Sequence, residues 1–221
     1  MRKNVKKQLA LRVLSTAALM AMVSSIATAA FAAEYNVAKG SVEIVAAGGE
    51  QRITQRDDTG AFVKDENGDI DHRLDSKIIL TTKNETTDET ETTDETETTD
   101  KTKPTSNTVT IDAKDGNTAK VTLDNVNIDV YGSSKAALTV TGDGNTEIEL
   151  NGDNTLISGR GHAGLEKADD VSHGSLTIKD DLNNNGSKKE EGQPGDVGSL
   201  NVVGKGGGAG IGGRKGSYDD T

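Results

Sequence analysis

The chain predicts an all-β fold, a parallel β-helix in which short strands stack coil upon coil. Three observations point there. Alternating strand phrases recur: Val121-Thr122-Leu123, Ile148-Glu149-Leu150 and Leu176-Thr177-Ile178 stand about 27 residues apart, with Leu200-Asn201-Val202 about 24 later. A small-small-aliphatic phrase also recurs, as Ala136-Ala137-Leu138, Ala163-Gly164-Leu165 and Ala209-Gly210-Ile211, and reads as a turn. Finally, hydrophobic content is only 32% and aromatic content 2%, with no Trp. That is too little for an ordinary globular core but enough for a thin column filled one rung at a time.

The first 32 residues read as an address. Residues 1–12 are basic, residues 13–27 are apolar and Ala-rich, and Ala27-Thr28-Ala29 and Ala30-Phe31-Ala32 are small-x-small cleavage signals. This is the order of a secretory signal peptide, so the mature chain is expected to begin near Ala33. Residues 13–33 could span a bilayer by length. Ser15, Thr16, Ser24, Ser25 and Thr28 weaken that hydrophobicity, so no stable membrane insertion is expected after cleavage. The expected location is extracellular, secreted or at the surface of a bacterial cell.

Residues 33–83 are expected to form an N-terminal cap or first coil. Within them, residues 42–45 and 77–82 read as strands, with Ile78 and Leu80 on one face and Ile79 on the other. Gly48-Gly49 is a turn, and residues 53–63 carry no clear pattern. Residues 84–106 differ in kind. Thr-Thr-Asp-Glu-Thr-Glu occurs twice, then decays to Thr-Thr-Asp-Lys-Thr-Lys before Pro104. With no apolar residue between 84 and 103, the segment cannot offset the entropy of ordering and is expected to be a disordered acidic insertion.

Residues 107–221 carry the rungs. Val109 and Ile111 alternate with Thr108 and Thr110, Leu138 and Val140 flank Thr139, and Ile148 and Leu150 alternate with Glu147 and Glu149. Period-two alternation sends the aliphatics inward and the Thr, Glu and Lys outward. Asp115-Gly116-Asn117, Gly142-Asp143-Gly144-Asn145 and Asn151-Gly152-Asp153-Asn154 read as the turns between strands.

Formal net charge is -11, and five basic residues lie in the first 32. The rest of the chain therefore holds 20 of the 25 basic residues against all 36 acidic ones. Such a surface repels phosphate backbones, which excludes nucleic acid as a partner, and attracts cations. The absence of Cys excludes disulfides, thiol catalysis, Cys-ligated zinc and a lipoprotein anchor.

Two strand phrases, Val121-Thr122-Leu123-Asp124-Asn125-Val126-Asn127-Ile128 and Ile148-Glu149-Leu150-Asn151-Gly152-Asp153-Asn154-Thr155-Leu156, and the Gly-rich run of residues 206–213 resemble a bacterial family. It is that of secreted carbohydrate-binding β-helix proteins, related in architecture to polysaccharide lyases. The resemblance spans roughly residues 107–221 and, more loosely, 35–82. It implies a right-handed parallel β-helix that binds acidic polysaccharide, with calcium as cofactor. The acidic insertion departs from the family pattern. The resemblance also implies further coils beyond Thr221, so the sequence reads as a fragment or a short divergent member.

Two segments space oxygen side chains as calcium loops do. One offers Asp65, Asn67, Asp69 and Asp71; the other offers Asp181, Asn183 and Asn185, with Glu190 beyond. Neither completes the EF-hand pattern, and the competing reading of each is a plain polar loop. Sugar hydroxyls would be met by Tyr131, Thr139, Thr141, Glu149 and Thr177 on outward positions. His72, His162 and His173 show no metal or triad spacing and read as solvated turn residues. Lyase chemistry needs an Arg or Lys base, and Arg160 and Lys179 are the candidates with acids nearby. Nothing else marks them, so no catalytic residue is assigned. The glycine run at 204–213 lacks the Lys-Ser/Thr ending of a phosphate loop. The leading expectation is a non-catalytic polysaccharide-binding module; the alternatives are a lyase-like enzyme and an adhesin stalk.

Overall fold

The computed structural model describes residues 33–64, 77–83, 103–167, 174–182, 187–189 and 197–213. They form an all-β structure with largely parallel sheets, compatible with a β-helix. The strands are β1 (Ala33–Asn36), β2 (Ser41–Ala47), β3 (Glu50–Arg56), β4 (Ile78–Thr81), β5 (Val109–Ala113), β6 (Thr118–Asp124) and β7 (Asn127–Asp129). They continue with β8 (Leu138–Thr141), β9 (Asn145–Asn151), β10 (Asp153–Arg160), β11 (Leu165–Lys167), β12 (Leu176–Lys179), β13 (Ser199–Lys205) and β14 (Ile211–Gly212).

Three sheets result. The first has the order β1-β4-β6-β9-β12, the second β14-β11-β8-β5-β2-β3, and the third β13-β10-β7. From β6 onward the chain visits the first, third and second sheets in turn, three times over, ending at β14. Among the described residues every pairing between strands is parallel except that of β2 with β3, and isolated antiparallel bridges join Arg56 to Phe62 and Leu182 to Lys188.

Register stacks like residues into columns. In the first sheet Ile78, Val121, Ile148 and Ile178 stand in line, as do Tyr35, Leu80, Leu123 and Leu150. The second sheet aligns Val42, Val109, Leu138, Leu165 and Ile211. The third aligns Ile128, Leu156 and Val202. Apart from the partly buried Ile178 and Val202 and the exposed Ile211, these columns form one buried cluster, each fully buried Leu or Ile contributing about 1.5–3 kcal/mol relative to exposure.

Two expectations are corrected by register. Leu200-Asn201-Val202 is not a fourth copy of the first-sheet phrase: it lies in β13, with Leu200 opposite Asn154 and Val202 opposite Leu156. Period-two alternation is the same in every sheet, so the phrase alone does not say which sheet it joins. Likewise Leu176 aligns with Thr146, and it is Ile178 that sits on Ile148. The small-small-aliphatic phrases are not turns but the points where β8, β11 and β14 begin, since Leu138, Leu165 and Ile211 are in register. Their small residues answer a close approach. A Cβ on Gly164 would lie 2.5 Å from Val202 Cγ1 and 2.7 Å from the Leu156 carbonyl oxygen.

The segment Asn151-Gly152-Asp153-Asn154 is also more strand than turn. The chain bends at Gly152 alone, with φ 59°, stacked on Asn125 at φ 54°. Asn125 Oδ1 accepts from the Asp153 N–H at 3.1 Å. The buried Asn154 accepts from the Val126 N–H at 2.9 Å and donates to the Asn151 and Ser199 carbonyls. The corner between the first and third sheets is thus held by asparagine side chains that satisfy backbone groups no strand can reach.

At the other extreme, β2 and β3 form a hairpin through Gly48 and Gly49, both at positive φ (63° and 81°) as a two-residue primed turn requires. Strand β3, from the region without a clear sequence pattern, pairs the outer edge of β2. Its inward face reads Gln51, Ile53, Gln55, all buried. Gln51 accepts from the Lys120 N–H, and Gln55 donates to the Asn36 and Gly40 carbonyls.

Candidate functional site

The predicted ligand-binding residues fall in three places. Thr139 and Thr141 lie on the outward face of the second sheet, in β8. Thr139 belongs to a row of Thr54, Glu43, Thr110, Thr139 and Glu166, and Thr141 sits opposite Asp112. Glu149 and Thr177 lie on the outward face of the first sheet, in rows with Thr122 and Lys179 and with Lys120 and Glu147. Tyr131 lies just past β7, 67% exposed, its N–H bonded to Asp129 Oδ1 at 2.9 Å. The fold brings Glu149 and Thr177 onto one face but separates them from Thr139 and from Tyr131.

Glu149 does not face solvent. It is only 6% exposed, because Oε1 accepts from the backbone N–H groups of Asp181 and Leu182, both at 2.7 Å. Its other oxygen, Oε2, is buried with no hydrogen-bond partner among the described residues. Beside it, Lys179 Nζ donates to Glu147 Oε2 at 3.2 Å and stands 3.9 Å from Asp181 Oδ2. The bond to Glu147 raises the Lys179 pKa, which keeps the ammonium charged. A proton-abstracting base needs the free amine, so this environment works against Lys179 in that role.

Of the predicted calcium ligands, Asp181 is the described one, with its carboxylate exposed. Asp65, Asn67, Asp69, Asp71, Asn183, Asn185 and Glu190 lie outside the described residues, as do residues 1–32 and most of the acidic insertion. Among the described residues no group of three His, Asp or Glu side chains could hold a metal ion. Glu149 Oε2 and the Asp181 carboxylate are nevertheless of the donor type that calcium takes, and they start from adjoining backbone.

A further carboxylate oxygen, Asp112 Oδ1, is also buried without a partner among the described residues, while Oδ2 pairs with Lys114. His162, which reads as a solvated turn residue, is instead mostly buried. Its Nδ1 lies 2.8 Å from Glu166 Oε2, which also accepts from the Ala163 N–H. The i,i+4 spacing of His162 and Glu166 was the available signal, but only a tight corner between β10 and β11 turns the two side chains together. His173 and His72 lie outside the described residues.

Among the described residues no helix is long and apolar enough to cross a membrane. No protein-family model, curated protein or solved structure matches the chain.

Proposed function

We infer that the chain is a secreted or cell-surface module that binds polysaccharide without catalysis, on the outside of a right-handed parallel β-helix, with calcium assisting. The cyclic visit to three parallel sheets supports the closed coil, and the strong preference for right-handed parallel crossovers supports its hand. The resemblance to secreted carbohydrate-binding β-helix proteins supports the ligand class.

The observation that carries the reading is the in-register outward row of Thr54, Glu43, Thr110 and Thr139. Strands about 4.8 Å apart repeat hydroxyls and carboxylates along a line. An extended glycan offers hydroxyls along a line too, and threonine can both donate to and accept from them. Calcium would be held at Glu149 and Asp181, where it would bridge acidic protein to acidic glycan.

The test is a glycan array probed with the full chain, with calcium and with chelator, followed by the Thr110→Val, Thr139→Val double variant. Binding that weakens on chelation and in the double variant is expected. No glycan retained under either condition sinks the reading. Ultraviolet-absorbing unsaturated product would instead make the protein a lyase.

A further inference from the structure

We propose that the corner carrying Tyr131, Lys135, Arg160 and Lys205 is a subsite for an anionic saccharide, one bearing carboxylate or sulfate, that works without calcium. The proposal rests on the polysaccharide-binding reading and adds a location and a chemistry to it.

Three successive coils meet at this corner. The Arg160 N–H donates to the Ser133 carbonyl at 2.9 Å, and the Gly161 N–H donates to the Lys205 carbonyl at 2.9 Å. Arg160 and Lys205 are partners in neighbouring strands. Lys135, two residues past Ser133, accepts through its carbonyl from the Gly159 N–H at 2.8 Å. Tyr131 starts on the coil of Ser133, and Lys205 Nζ stands 5.6 Å from the centre of its ring. Tyrosine and lysine thus bracket the coil of Arg160. A Cβ on Gly206 would meet Arg160 Cγ at 2.5 Å, so the arginine stem lies against that glycine.

The chain is acidic, at -11. Lys83, Lys114, Lys179 and Lys189 each pair with a carboxylate. Lys135, Arg160 and Lys205 have no carboxylate partner among the described residues, and Lys135 and Arg160 are exposed. Of the carboxylates on the flanking segments, Asp129 accepts from the Tyr131 N–H at the corner itself, and Glu166 is held by His162 and the Ala163 N–H.

An acidic protein repels a polyanion at long range, but screening confines that repulsion to about 8–10 Å at ordinary salt. Contact therefore needs either a bridging divalent ion or a local cluster of free cations. The corner is such a cluster. Arginine's planar fork suits carboxylate and sulfate oxygens, and the exposed Tyr131 ring offers an apolar face for the sugar.

The experiment titrates the full-length chain, in chelator, with oligogalacturonate, with a sulfated oligogalactan and with the uncharged oligogalactan. Wild type should bind at least one charged oligomer, with affinity falling as salt rises, and not the uncharged one. Arg160→Gln with Lys205→Gln should raise Kd by about tenfold or more, the loss expected when charge-assisted hydrogen bonds go. An unchanged melting curve for this variant separates lost binding from lost fold, and Tyr131→Leu should weaken binding at unchanged salt dependence. Equal affinity in wild type and the double Gln variant overturns the subsite. So does glycan binding that requires calcium, which leaves the polysaccharide-binding reading standing. A chain that binds no glycan with or without calcium overturns both.

Discussion

The two ends of the strand stack differ. Around β1, β3 and β4 the inner positions are closed: Tyr35 is 7% exposed and Ile53 0%. Around β12, β13 and β14 they are open: Leu176, Ile178, Leu200 and Val202 are only partly buried, and Ile211 is 50% exposed. Yet Ile211 occupies the same column as the fully buried Val109, Leu138 and Leu165. A residue in stacked parallel strands is buried by the neighbouring layer as much as by its own strand. At the closed end that layer is β3, whose inward glutamines turn the column from apolar to polar and take up the Lys120 N–H and the Asn36 and Gly40 carbonyls.

The comparison breaks most readily along this one column. Leu138→Ala should destabilise by about 2–5 kcal/mol, as for other fully buried leucines, whereas Ile211→Ala should cost about 1 kcal/mol or less, since half of its surface already meets water. Chemical denaturation of both variants measures the gap; equal losses would mean the open end is covered in solution. Next in size is Gln55→Ala, which strips the Asn36 and Gly40 carbonyls of their donor. A loss of about 1–3 kcal/mol is expected, and a loss below that range would show that water replaces the side chain freely.

The smallest effect is expected at the corner beside β6. Burial raises the Asp124 pKa above its ordinary 3.8, against opposing hydrogen bonds with Asn125 and Asn151. Folding therefore favours the protonated acid. Its contribution is fullest below pH 3.8 and is lost as pH rises through the folded-state pKa. Asp124→Asn should thus be slightly more stable than wild type at neutral pH, by about 0.5 kcal/mol or less, and the difference should close on acidification. A melting-temperature series over pH reads it; a neutral-pH loss would mean the carboxylate is worth more than its desolvation costs.

Much of the second and first sheets was legible beforehand. The faces of β2, β4, β5, β6, β8 and β9 follow from alternation, because a half-buried strand writes its burial with period two. The third sheet was less so. Its inward residues in β7 and β10 are single aliphatics, Ile128 and Leu156, set among asparagines that look like turn residues, and only β13, with Leu200 and Val202, shows the alternation. Nor did the pattern reveal β3, where glutamines hold inward positions that alternation assigns to apolar residues. Of the candidate site, the outward threonines stand where their alternation placed them. The burial of Glu149 was hidden, since it depends on two N–H groups more than thirty residues away in the chain.

By itself the sequence determined the all-β character, the inward columns of Val, Ile and Leu, and the acidic, cysteine-free surface, since these follow from local alternation and composition. Only the tertiary structure decided which strand lies on which, that Leu200 and Val202 join the third sheet, and that β3 closes one end. It also decided the juxtaposition of Tyr131, Arg160 and Lys205, residues up to 74 positions apart that meet at one corner. The physical reason is that alternation is a property of one strand, whereas register, corners and charge clusters are properties of strands laid on one another.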